Sequence, residues 1–151
     1  MMDKTTISGL GLELHEACSM GDVDTLEEYL KSGKYNVDIV DPEYSHRTAM
    51  HWAASKGHVD CLRLLLDYGA DAQARMDMGW TAAHCAAETG KLTILRALHG
   101  ANIPVHLADD YGDTPRMVAH TYGHTDCVKY LMQVEEEVQG KEDSTQSDHP
   151  S

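Results

Sequence analysis

From Val59 to Leu66 the apolar positions Cys61, Leu62, Leu65 and Leu66 fall on one face of a helix, while Asp60 and Arg63 face water three residues apart. A shorter helix precedes it. Thr48 is a good N-cap type, residues 49–56 follow, and Gly57 ends the helix because glycine tolerates the left-handed conformation. Gly69 closes the second helix, an extended stretch runs over residues 70–75, and a turn at Met78 and Gly79 leads to Thr81, where the pattern restarts.

That restart is a repeat. Thr48, Thr81 and Thr114 recur every 33 residues, and so do Gly57, Gly90 and Gly123. The helix positions Leu62, Leu95 and Val128 keep the same interval, as do Leu65, Leu98 and Leu131. Upstream, His15, Gly21 and Leu26 map onto His51, Gly57 and Leu62 with an offset of 36, so the first unit carries three extra residues. Each helix pair has an apolar face too large to leave wet and too small to form a core alone, and stacking neighbours buries it. Ala53, Ala54, Ala86, Ala87 and Ala119 let the inner helices sit close.

The pattern Thr-x-x-His-x-Ala-Ala-x-x-Gly, an apolar helix and then Gly-Ala-Asp resembles the ankyrin repeat, carried by residues 48–54 and 81–87 and by Thr114 and Pro115 of the last unit. The resemblance implies an all-α ankyrin-repeat solenoid of four helix-turn-helix units joined by short hairpin-like turns, at about 11–43, 44–76, 77–109 and 110–134. A segment 1–10 precedes them, and the polar, acidic residues 135–151 are expected to be disordered. Several departures are informative. Ala49 and Ala82 replace the usual Pro. His46 replaces the turn Gly, so the first finger, with its insertion around residues 41–43, is expected to turn differently. Asn102 stands where Gly69 stands. Arg116 and Met117 replace an apolar residue and His, as suits a terminal cap.

Charge narrows the partners. Of the net −13, residues 135–151 hold −5 and residues 1–134 hold −8. An acidic body argues against nucleic-acid binding and against docking on anionic membranes, and favours a protein partner offering basic or apolar-anchored segments. The first residues lack the apolar stretch of a signal peptide, and no apolar run reaches the length of a membrane span. Four widely spaced cysteines then point to reduced thiols in the cytoplasm, with the nucleus also open. Cys61 and Cys127, at one position two units apart, should lie about 20 Å from each other.

No nucleophile elbow, phosphate loop or paired-carboxylate constellation appears, so neither an enzyme nor a cofactor is expected. Ten histidines raise the question of a metal site. The resemblance instead assigns His15, His51 and His84 to bracing the turns, alongside the structural positions Thr48, Gly57, Thr81, Gly90, Thr114 and Gly123, and it implies no metal. Binding residues are expected on a concave face made of finger tips and inner-helix flanks. Mapping the family pattern places Tyr44 and Arg47 on the first finger, Asp77, Met78 and Trp80 on the second, and Asp110, Tyr111 and Asp113 on the third. Lys56, Glu88 and Tyr122 come from the inner helices. Tyr44, Met78, Trp80, Tyr111 and Tyr122 would form an aromatic stripe rimmed by acids. Trp80 could equally pack on its neighbouring finger. Two classes fit: a soluble adaptor or regulatory binder, monomeric when isolated, or a permanent subunit of a cytoskeletal or ciliary assembly.

Overall fold

The computed structural model describes residues 12–147; the segment 1–10, Gly11 and the last four residues of the acidic tail lie outside it. Helices alternate between two layers. The inner layer holds α1 (12–20), α3 (Ala49–Lys56), α5 (Ala82–Thr89) and α7 (Pro115–Thr121). The outer layer holds α2 (Val23–Ser32), α4 (Val59–Asp67), α6 (Leu92–Gly100) and α8 (Thr125–Ser147). In the inner layer α3 packs on α5 and α5 on α7; in the outer layer α2, α4, α6 and α8 pack in sequence. Among the described residues no strand forms, only one isolated bridge between Asp41 and Arg47.

The core lies between the layers. Leu14, Leu26, Leu62, Leu65, Ile94, Leu95, Leu98 and Leu131 are fully buried, and the inner helices meet through Ala53, Ala54, Ala86, Ala87 and Ala119. Burial of a leucine contributes roughly 1.5–3 kcal/mol, which the alanines make possible by letting backbones approach. The four cysteines are free and buried. Cys18 and Cys61 lie near enough for each thiol to perturb the other, so the first unit meets the second through sulfur.

Each inner helix after the first starts on a threonine. The hydroxyls of Thr48, Thr81 and Thr114 accept from the amides of His51, His84 and Met117. The helices end on glycine where space requires it: a Cβ on Gly90, at φ 74°, would meet the His124 ring, whose Nε2 bonds the Glu88 carbonyl. Asn102 takes the left-handed conformation at φ 64°, as Gly69 does at 86°.

The tail differs from expectation. Residues 135–147 continue α8 as helix. Their charge conceals an apolar stripe, because Cys127, Leu131, Val134 and Val138 recur at intervals of four, three and four. Val134 is buried and Val138 packs against the core. Glu135 accepts from Arg116 Nε at 2.9 and 3.0 Å, and Glu137 lies 3.4 Å from His99 Nε2. Two of the acids that suggested disorder, Glu135 and Glu137, anchor the helix to α7 and α6.

Candidate functional site

Three fingers project between the helix pairs, and their backbones are pinned at the base. The amide of Met76 donates to Trp80 O and that of Asp109 to Asp113 O, both at 2.8 Å. In the first finger the corresponding bond runs from Asp41 to Arg47 at 2.9 Å and encloses two more residues. The finger is longer but, against expectation, its tip does not turn differently. Ser45 at φ 59° and His46 at φ 61° are successive left-handed residues, as Met78 at 67° and Gly79 at 76° are in the second finger. Adjacent tips are joined: Asp77 N donates to Ser45 O at 2.8 Å, and Asp110 N to Met78 O at 3.0 Å. A Cβ on Gly79, at φ 76°, would collide with the Asp110 carboxylate. His46, at the equivalent place, instead turns its ring to Asp77, with Nδ1 2.7 Å from Oδ1.

Histidines couple each inner helix to the next finger. His51 Nδ1 accepts from Thr48 N at 3.1 Å, and its Nε2 donates to Trp80 O at 3.0 Å. His84 repeats this with Thr81 N at 3.1 Å and Asp113 O at 2.9 Å. Burial pushes the His51 pKa down to about 4 and lowers those of His84 and His15. These imidazoles are therefore neutral at pH 7, with the Nε2 proton the bonds require. His15 has half of the arrangement. Its Nε2 reaches Ile39 O at 3.1 Å, while Nδ1 is buried without a partner; Leu12, which stands where Thr48 and Thr81 stand, brings no hydroxyl to it.

Of the residues expected to bind, Tyr44, Arg47 and Lys56 are brought together. All three surround Trp52 on α3. The Tyr44 ring meets it edge-on at 5.7 Å, the Arg47 guanidinium lies 4.8 Å from the ring centroid, and Lys56 Nζ lies 6.0 Å away. Sequence reasoning missed Trp52. Its equivalents are Cys85 and Val118, both buried, so periodicity marks it as core. The half-buried ring is a shelf for two cations.

The second and third fingers contribute acids and bare tips. Met78 and Tyr111 are exposed, as are Asp77, Asp110 and Asp113; Glu88 on α5 is half-buried, and Tyr122 is exposed at the end of α7. Among the described residues neither Tyr111 nor Tyr122 has a ring partner. Trp80 serves the fingers themselves. It is half-buried, stacks on His84 at 5.8 Å, and its Nε1 donates to Asp109 Oδ2 at 3.0 Å. Asp109 also accepts from the amides of Tyr111 and Asp113; burial opposes its charge, but these donors outweigh it and hold the carboxyl below its ordinary value. Arg75, also missed, bridges Gly79 O at 2.7 Å and Ala108 O at 3.0 Å.

Chemically this face can bind but shows no reacting constellation. Burial pushes the Cys85 thiol up to about 12 and that of Cys127 to about 11, so both are protonated at neutral pH. Among the described residues no cluster of His, Cys, Asp or Glu is placed to hold a metal ion, and no helix is long and apolar enough to cross a membrane.

Stacked helix pairs that turn exposed aromatic, sulfur and charged side chains to one side form a protein-interaction module. The chain belongs to the ankyrin-repeat family: a model of three copies of ankyrin repeats matches residues 14–107, and one of many copies matches residues 83–132. Protein phosphatase 1 regulatory subunit 27 of Mus musculus is 34 % identical over 95 residues, covering 63 % of this chain and 60 % of that protein. Protein fem-1 homolog A-like of Mus musculus is 36 % identical over 101 residues, 67 % of this chain and 15 % of that protein. Diacylglycerol kinase zeta of Rattus norvegicus is 32 % identical over 123 residues, 80 % of this chain and 13 % of that protein. The chain thus spans less than two thirds of each of these relatives.

Proposed function

We propose that the chain is a cytoplasmic adaptor or regulatory binder that holds a partner protein on the concave face made by its fingers and inner helices. The observation that carries this reading is exposure of large side chains on that side. Tyr44 is 58 % exposed, Met78 51 %, Tyr111 75 % and Tyr122 55 %. Aromatic residues and Met are enriched at the centres of protein interfaces, and a standard interface covers about 800 Å² per partner. A relative named as a phosphatase regulatory subunit accords with a regulatory, non-catalytic role. Within the family, residues 79–84 and 111–115 look most like ankyrin repeat domain-containing protein 66, a resemblance that carries no mechanism.

The test is a comparison of two baits in cell lysate, the full chain and its Met78→Ala/Tyr111→Ala variant, with equal folding checked by circular dichroism. Recovery of a partner by the native bait and its loss by the variant supports the assignment. Equal recovery by both places binding elsewhere. Trp80→Ala is a poorer choice, because it removes the Asp109 bond and the His84 stack along with any contact.

A further inference from the structure

The concave face is electrically divided, and the division specifies the chemistry of what it holds. Lys31 and Arg116 pair with acids, Glu27 and Glu135. Arg47 and Lys56 do not: among the described residues no carboxylate lies within 4 Å of either. The acid at the tip of the second finger, Asp77, is already engaged by His46 at 2.7 Å. Both cations are instead held on the Trp52 ring, at 4.8 and 6.0 Å. A guanidinium lying on an aromatic face keeps its in-plane N–H groups free along its edge, the geometry that receives a carboxylate through two parallel hydrogen bonds. Tyr44, edge-on to the same ring and mostly exposed, adds an apolar wall.

Resting on the concave-face reading, we propose that Arg47, Trp52 and Lys56 form a seat for an acidic side chain of an extended peptide segment of the partner. The acids of the third finger set the register. Asp110 and Asp113 are exposed and repel a second acid, so the segment places an apolar residue over Met78 and Tyr111 and a basic residue beyond them. The occupant is therefore a peptide of mixed charge, acidic at the first finger and basic at the third. The net acidity of the chain, which suggested a basic partner, conceals this local reversal. A polyanion such as a nucleic acid satisfies the seat and fails at the third finger.

The probe is a phage-displayed library of random 12-residue peptides selected on the full chain. Enriched sequences should combine an Asp or Glu with an apolar residue and a Lys or Arg in one constant order. One enriched peptide is then synthesised, labelled and titrated by fluorescence anisotropy. Arg47→Glu/Lys56→Glu should weaken it about ten-fold or more, the scale of a charge-assisted bidentate contact. Trp52→Phe should retain most affinity and Trp52→Leu should lose it. Changing the peptide's acid to Lys should restore binding to the charge-reversed chain. A selection that enriches nothing, or only basic peptides, overturns the proposal, as does competition by oligothymidylate as strong as that of the unlabelled peptide. If charge reversal has no effect while Met78→Ala/Tyr111→Ala abolishes binding, the acidic seat is wrong and the concave face stands. If neither variant matters, both readings fall.

Discussion

The second and third units carry a complete brace, and the first and fourth each carry half of one. His51 and His84 close a circuit from their own threonine cap to the next finger. His15 has the outward bond to Ile39 and lacks the threonine; Thr114 caps its helix and has Met117 where the imidazole would be. The difference follows from what each position can reach. A histidine at 117 would need a finger after the fourth outer helix, and there α8 runs on to Ser147 with no finger after it among the described residues. In the middle of the stack one side chain ties two units together. At the ends other contacts take that role: Cys18 against Cys61, and the carboxylate of Glu137 beside His99 of the third unit.

The largest expected effect is at His51. Replacing it with Ala strands buried groups on Thr48 and Trp80 and should cost about 3–4 kcal/mol in urea unfolding, with His84→Ala close behind. His15→Ala should cost about half as much. Equal losses at His15 and His51 would break the comparison.

Acid should act through the same rings. An unfolded histidine titrates near 6.5, whereas buried His51 does so at about 4, and His15 and His84 are shifted in the same direction. Protonation therefore favours the unfolded chain. The stabilisation is complete above about 6.5 and is lost as pH falls toward 4, with a contribution from His51 of up to about 3 kcal/mol. Urea midpoints measured between pH 7 and 4.5 should fall for the native chain and fall less steeply for His51→Ala.

Removing residues 135–151 tests how the fourth unit manages without its histidine. Losing the Arg116–Glu135 pair and the packing of Val138 should cost about 1–2 kcal/mol, seen first as faster amide exchange in α7. Disordered appendages would be removed at no cost. Smaller again, Thr48→Ala should cost about 1 kcal/mol through the lost cap. Met117→His should change the urea midpoint by less than about 0.5 kcal/mol, since it has no carbonyl to reach.

The period of 33 made the stack legible, because the residues that repeat are those each unit needs for its own cap, turn and core. What failed to repeat was harder to read. Trp52 occupies a position that is core in the next two units, and its role depends on Arg47 reaching it from a finger two residues longer than the others. Trp80 looked like a binding residue by type, yet Asp109, 29 residues on, supplies its partner. The end of α8 was masked by charge, although Val134 and Val138 continue the stripe begun by Cys127 and Leu131. Local pattern reveals what a unit requires internally; contacts between units depend on residues about one repeat away.

That distance has a consequence for how the chain acquires its structure. Among the side-chain hydrogen bonds of the described residues, the longest joins groups 36 residues apart, and the braces join groups 29 apart. No bond waits for two remote segments to find each other, so the entropy of closing each loop is modest and much the same along the chain. A nucleus can begin wherever two neighbouring units first pair, and the complete braces favour the second and third. Growth then proceeds outward in both directions, and loosening begins at either end without dissolving the middle.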